Sequence, residues 1–209
     1  MSRIAFPARS CRALTALGVA VLVLVSCSTP EPRNLLSNND VEELRPLLNS
    51  ERISKRFGSY GIEVLYQDTR KRVSNLFSGS GEDRVTRTLA LVDFVSPVDP
   101  ALASLHREIV HGCSIGATFK RAGWKVGKRQ WSLDLVSAAK VRAVLPLSVR
   151  SVMTNAWGSD SGGWFATARY RLDLDDGPTA IPYAWITEIY HPDYLTLADL
   201  RALYPEVKR

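Results

Sequence analysis

From residue 164 to residue 174 the chain alternates without a break. Trp164, Ala166, Ala168, Tyr170, Leu172 and Leu174 fall on one phase, and Phe165, Thr167, Arg169, Arg171 and Asp173 on the other. On a helix, residues two apart point to nearly opposite sides. A strict period of two therefore commits this segment to a β-strand, and the chain to a sheet for it to join. Other segments carry the same signal. Ile62, Val64 and Tyr66 alternate with polar neighbours, Val73, Asn75 and Phe77 follow, and residues 84–95 (RVTRTLALVDFV) form a long β-rich run. Ser78-Gly79-Ser80-Gly81 supplies the residues of a hairpin connection between the last two. Residues 131–136 and 181–190 read as further strands, the latter entered through an Asp176-Gly177 turn. Residues 151–157 are expected to form the first arm of a second hairpin, turning through 158–163 into the alternating arm.

Helix signals separate these runs. Residues 41–57 read as two short helices interrupted at Pro46, the second opening near Ser50 and closing at Gly58. Asp99-Pro100 is an N-cap followed by proline at the first helical position, and Leu102, Leu105 and Ile109 have the spacing of one helix face ending near Gly112. Residues 115–122 form another short helix between Ser114 and Gly123. The last helix has a capping box at Thr196 and Asp199, a staple of Leu195 with Leu200, and a stop at Pro205. The expected class is α+β, a largely antiparallel sheet with a few short helices. A Ser/Gly hairpin followed by a helix occurs in each half, which suggests two weakly related half-domains.

The amino end carries a different message. Arg3, Arg9 and Arg12 precede residues 13–25 (ALTALGVAVLVLV), an uncharged stretch of 13 residues. A helix that crosses a bilayer needs about 20 apolar residues, whereas a signal-peptide h-region runs about 7 to 15 behind a basic segment. Leu24-Val25-Ser26-Cys27 then resembles the lipobox of bacterial lipoproteins. The resemblance covers residues 1–27. It implies a signal peptide over 1–26, a diacylglyceryl group on the Cys27 thiol, cleavage before Cys27, and membrane attachment through acyl chains. Ser28 follows the cysteine in place of the Asp that in this family commonly marks inner-membrane retention. The resemblance thus implies an outer-membrane protein facing the periplasm. Residues 27–40, with two prolines among small polar residues, read as the lipidated cysteine and a flexible tether. Residues 41–209 read as one domain.

Composition limits the function classes. Lys and Arg number 27 against 21 Asp and Glu, and without Arg3, Arg9 and Arg12 the balance falls to 24 against 21. So small an excess over a whole domain is not the dense basic face of a nucleic-acid binder, and no nucleic-acid partner is expected. Cys11 leaves with the signal and Cys27 becomes a thioether, so Cys113 is the one remaining thiol, expected as a small buried apolar residue. A core must supply the stability, not a disulfide.

Two patterns point to chemistry. Gly112-Cys113-Ser114-Ile115-Gly116 matches the G-x-S-x-G elbow of α/β-hydrolases, with His191 as the base and Asp160, Asp173 or Asp175 as the acid. The elbow needs a strand before its serine, whereas here a helical pattern precedes it and no oxyanion motif accompanies it. The matching Asp160-Ser161-Gly162-Gly163 of trypsin-like proteases lacks its upstream histidine segment and reads as a loop. His106 and His111, five apart on one helix, cannot share an ion, and neither a metal nor a cofactor is expected. Trp124 and Trp131, interleaved with Lys125, Lys128 and Arg129, form the most suggestive binding cluster, suited to anionic lipid or an envelope protein. The leading expectation is a lipid-anchored envelope protein with a binding or assembly role. The alternative is a small envelope serine hydrolase using Ser114 and His191.

Overall fold

A computed structural model describes residues 34–157, 163–175 and 180–207. Chain entry is fixed by one buried carboxylate. Helix α1 (Asn38–Leu44) opens with a capping box between Ser37 and Asp40, and the helix that closes the chain, α7 (Leu197–Leu203), opens with the box expected at Thr196 and Asp199. Asp199 Oδ2 accepts from the Thr196 N–H at 2.8 Å, while its Oδ1 accepts from the Leu35 and Leu36 N–H groups at 2.8 and 2.9 Å. The two ends of the domain are thereby sewn together. Helix α2 (Asn49–Phe57) ends at Gly58, whose φ of 73° is the left-handed conformation that closes a helix most cheaply when no side chain is present.

Six strands follow: β1 (Gly61–Gln67), β2 (Lys71–Ser78), β3 (Val85–Phe94), β4 (Lys125–Ser137), β5 (Trp164–Asp175) and β6 (Ala180–Tyr190). They form one sheet in the order β1-β2-β3-β6-β5-β4, every pair antiparallel. The class is α+β, as the sequence led us to expect. Two three-stranded meanders meet where β3 pairs with β6, and each is preceded by two helices: α1 and α2 in the first half, α3 (Ala103–Val110) and α4 (Ile115–Arg121) in the second. The irregularities match too. Register shifts occur in β1/β2 and β2/β3, and again in β4/β5 and β5/β6, but not in the central β3/β6 pair. Each such bulge bends its strand, so both wings curve away from a regular centre.

Residues 151–157 correct the expected second hairpin. They belong to a helix, α6 (Leu147–Trp157), that follows α5 (Ala138–Val144) between β4 and β5. Val149, Met153 and Trp157 recur every fourth residue and are buried together against Val73, Leu89, Phe165 and Ile189. That spacing makes one helix face, and Pro146 immediately before it fits a helix start. Residues 158–162, including Asp160, and the Asp176-Gly177 turn lie outside the described residues, as does Cys27.

Helices cover both sheet faces. On β3, Ala90, Val92 and Phe94 look one way and Leu89 the other. The Leu89 face carries α5 and α6. The opposite face carries two separate groups. Helices α1, α2 and α7 pack over Leu76, Ala90, Ala166, Ala168 and Tyr190. Helices α3 and α4 pack over Val92, Phe94, Tyr170, Leu172 and Ile186. Between these two groups the sheet is bare of helix.

Candidate functional site

That uncovered strip is the floor of a cavity of about 310 Å³, at the small end of the roughly 300–1,000 Å³ of ligand pockets. Its lining comes from corresponding elements of the two halves. The opening residues of α2 (Asn49 to Glu51) face those of α4 (Ile115 to Ala117) across it. On the floor, Arg72, Ser74 and Leu76 of β2 and Ala90 and Val92 of β3 come from the first half. Tyr170 and Leu172 of β5 and Ile186 and Glu188 of β6 come from the second. Tyr60 and Ile62 close one side, and Val126 and Lys128 the other. An ion pair between Lys120 Nζ and Glu51 Oε1, 3.3 Å long, joins α4 to α2 at the rim. Both groups are exposed there, so the pair is a weak latch worth at most about 1 kcal/mol.

Most of the floor is apolar, and its polar groups are specific. Glu188 is only 4% exposed, yet its carboxylate is satisfied: Tyr170 donates to Oε1 at 3.0 Å and Tyr190 donates to Oε2 at 2.5 Å. Burial, and then the adjacent Glu188 charge, push both phenols well above their ordinary range, so they stay protonated as donors. Lys128 Nζ lies 4.3 Å from the centre of the Tyr170 ring, a cation over an aromatic face. Burial and Glu188 also raise the Tyr60 phenol, while Arg72 pulls it the other way.

Arg72 is the exception. It is 1% exposed. Its Nε donates to Ser74 Oγ at 2.8 Å and its Nη1 to the Cys113 carbonyl at 2.6 Å, but Nη2 has no hydrogen-bond partner among the described residues. Desolvation lowers its pKa from the usual guanidinium value, with Tyr183, Tyr60 and Cys113 opposing.

The residues singled out from sequence are scattered. Ser114 lines the cavity, but it follows α3 and stands at the N-cap of α4 without making a side-chain capping bond. His191 sits beyond the end of β6, its Nδ1 accepting from the Asp193 N–H at 3.1 Å and its ring 6.2 Å from that of Trp157. It is not part of the cavity wall. Burial lowers its pKa, with Asp193 opposing and Arg87 reinforcing. The other histidines are engaged elsewhere, His106 Nδ1 with the Tyr183 hydroxyl and His111 Nδ1 with the Arg107 carbonyl. Asp173 is paired with Arg171 and Arg129. Among the described side chains of the aromatic and basic cluster, only Lys128 lines the cavity. Trp124 packs against the α3/α4 core, Lys125 and Arg129 are exposed on the edge strand β4, and the Trp131 side chain lies outside the described residues.

Cys113 corrects another expectation, being exposed rather than buried. Only its backbone carbonyl points inward, to Arg72. Among the described residues no three His, Cys, Asp or Glu side chains gather as a metal group, and no helix is long and apolar enough to cross a membrane.

Comparison with known protein families, with curated proteins and with solved structures returned no match. The reading of function therefore rests on the cavity itself. Sequence reasoning missed Arg72, Tyr60 and Glu188. The available signal was phase: Arg72 shares a strand face with Ser74 and Leu76, and Glu188 shares one with Ala184, Ile186 and Tyr190. A charge in register with core residues is rare enough to mark a site.

Proposed function

We propose that this chain is a lipid-anchored protein of the bacterial envelope whose domain binds a small molecule in the cavity between its two halves. The anchor is Cys27, and the membrane is the outer membrane, with the domain on its periplasmic side. The observation that carries the binding role is the cavity floor, where an apolar bed is interrupted by a buried arginine with one nitrogen unspent. A domain that needed only stability would have filled this strip with side chains, because interiors pack to crystal density. Ligand sites look as this one does: concave, mainly apolar, with a few convergent polar groups.

Two measurements test this. Cys27→Ser is expected to abolish fatty-acid labelling and cleavage of the leader, and labelling that persists would remove the anchor from the proposal. For binding, the chain purified from membranes is denatured and the released small molecules are identified. A compound released in stoichiometric amount by the wild type should be absent from Ala90→Leu, whose larger side chain fills the floor. Binding is refuted if the wild type releases nothing and no member of a panel of small amphiphiles raises its melting temperature. Saturation at about 100 times Kd would stabilise it by about 2.7 kcal/mol.

A further inference from the structure

Two arginines lie buried on the helix-covered side of the sheet that holds the cavity, each 1% exposed, and they differ in one respect. Every nitrogen of Arg52 has a partner. Its Nε donates to the Leu44 carbonyl, Nη1 to the Tyr204 hydroxyl and Nη2 to the Arg45 carbonyl, at 2.8, 2.6 and 3.0 Å. Arg72 is held just as firmly through Nε and Nη1. Its Nη2, with two N–H groups, is buried and unpartnered among the described residues, and Arg72 is one of the residues that line the cavity. No ion pair is formed by Arg72 among the described residues. A buried guanidinium lacking both an anion and its last hydrogen bond is among the more costly arrangements a fold can hold. It is retained where something else supplies the missing acceptor.

The surroundings narrow what that is. A cation is repelled by Arg72. A phosphate dianion would bring two negative charges into a cavity whose lining already includes the buried Glu188 carboxylate. Lys120, at the rim, already serves Glu51. What remains is one negative charge whose oxygen can accept from Nη2. The rest of the space, bounded by Leu76, Val92, Leu172 and Ile186, suits an apolar body. We infer that Arg72 is the headgroup residue for a small monocarboxylate with an apolar body, bound with its carboxylate on Nη2 and its body along the floor of β3, β5 and β6. This rests on the cavity being a binding site, as proposed above.

The test uses the full chain in the membranes that carry it, with two photoreactive diazirine probes of the same length, a decanoic acid and its primary amide. The amide keeps a carbonyl acceptor and loses the charge. The acid is expected to label cavity peptides of β2, β3 and α4 at least tenfold more than the amide, and unlabelled decanoate should compete. In Arg72→Met the acid should fall to the level of the amide while amide labelling stays unchanged, which also shows that the cavity persists. Ser74→Ala, which removes the oxygen that orients the guanidinium, should lower acid labelling in part. If Arg72→Met does not fold, the acid-to-amide ratio on the wild type decides alone. Equal labelling by acid and amide, or an unchanged ratio in a folded Arg72→Met, overturns the headgroup assignment and leaves the binding role standing. Absence of cavity labelling by either probe counts against the binding role itself.

Discussion

At the scale of the residue, Arg52 and Arg72 separate structure from function by a stability measurement. Removing Arg52 takes a donor from three oxygens, those of Leu44, Arg45 and Tyr204, and its bond to the Leu44 carbonyl is buried. Arg52→Met is expected to cost about 3 kcal/mol or more, read as a lower urea midpoint with an unchanged slope. Arg72→Met also loses three bonds, to Ser74 Oγ and to the Cys113 and Ile109 carbonyls, the last long at 3.5 Å, but it removes a buried charge without an ion-pair partner among the described residues at the same time. Its cost should stay below about 1 kcal/mol, and a gain in stability would be no surprise for a residue kept for its ligand. Equal losses in the two variants would make Arg72 a structural residue. The contrast between these arginines was not legible in sequence. Both stand in polar-looking contexts, Ser50-Glu51-Arg52 and Lys71-Arg72-Val73, and which nitrogen finds a partner depends on carbonyls from Cys113 and Leu44 that only the fold brings near. Lys128 stood in the basic cluster around Trp124 and Trp131 that the sequence singled out, and it lines the cavity. Ser114 was found for a chemistry that its α3 to α4 setting does not resemble.

At the scale of the element, local punctuation was the most readable part of the chain. Gly58, Gly112 and Gly123 all stand at helix ends with positive φ, and the capping box at Thr196 and Asp199 forms as spelled. Helix α6 was missed because its β-branched and aromatic residues mimic a strand when counted from Ser151. The four-residue rhythm of Val149, Met153 and Trp157 appears only if counting starts after Pro146. Tertiary burial against β5 and β6 then decides the matter over propensity. Glycine positions give a graded test of these elements. At Gly58 an added Cβ would meet nothing within 4 Å, so Gly58→Ala should cost about 1 kcal/mol from the left-handed backbone alone. At Gly79, with φ of 79°, the Cβ would stand 2.2 Å from the Asp83 carbonyl oxygen. The hairpin between β2 and β3 cannot accept that atom without shifting, and Gly79→Ala should cost at least about 2 kcal/mol. Thermal unfolding of the two variants side by side checks the order. A milder effect at Gly79 than at Gly58 would mean that the turn relaxes freely.

At the scale of the whole molecule, the two halves repeat an order of helices and strands but do not own separate cores. Helices α1 and α2 of the first half pack on Ala166, Ala168 and Tyr190 of the second. Helices α3 and α4 of the second pack on Val92 and Phe94 of the first. Helix α7, at the far end of the chain, shares the α1/α2 cluster, and Asp199 binds the backbone at Leu35 and Leu36. The sequence suggested two related half-domains through its repeated turns, but it could not reveal this exchange of partners, since hydrophobic periodicity shows that a face is buried and not against what. The exchange has a consequence for folding. Residues 31–209 form one compact unit, and the only thiol among the described residues, Cys113, is exposed. A chain starting at residue 31 is therefore expected to unfold in a single cooperative transition, with coincident fluorescence and circular-dichroism midpoints that do not move on adding reductant. Cut between Val98 and Asp99, the two pieces should each remain unfolded alone, because each would expose helix faces whose partners lie on the other piece. Mixed together, they should regain the sheet through the β3/β6 pairing, which has seven residue pairs in unbroken register. Two separate transitions in the intact chain, or a half that folds alone, would show that the shared cores contribute less than the repeat within each half.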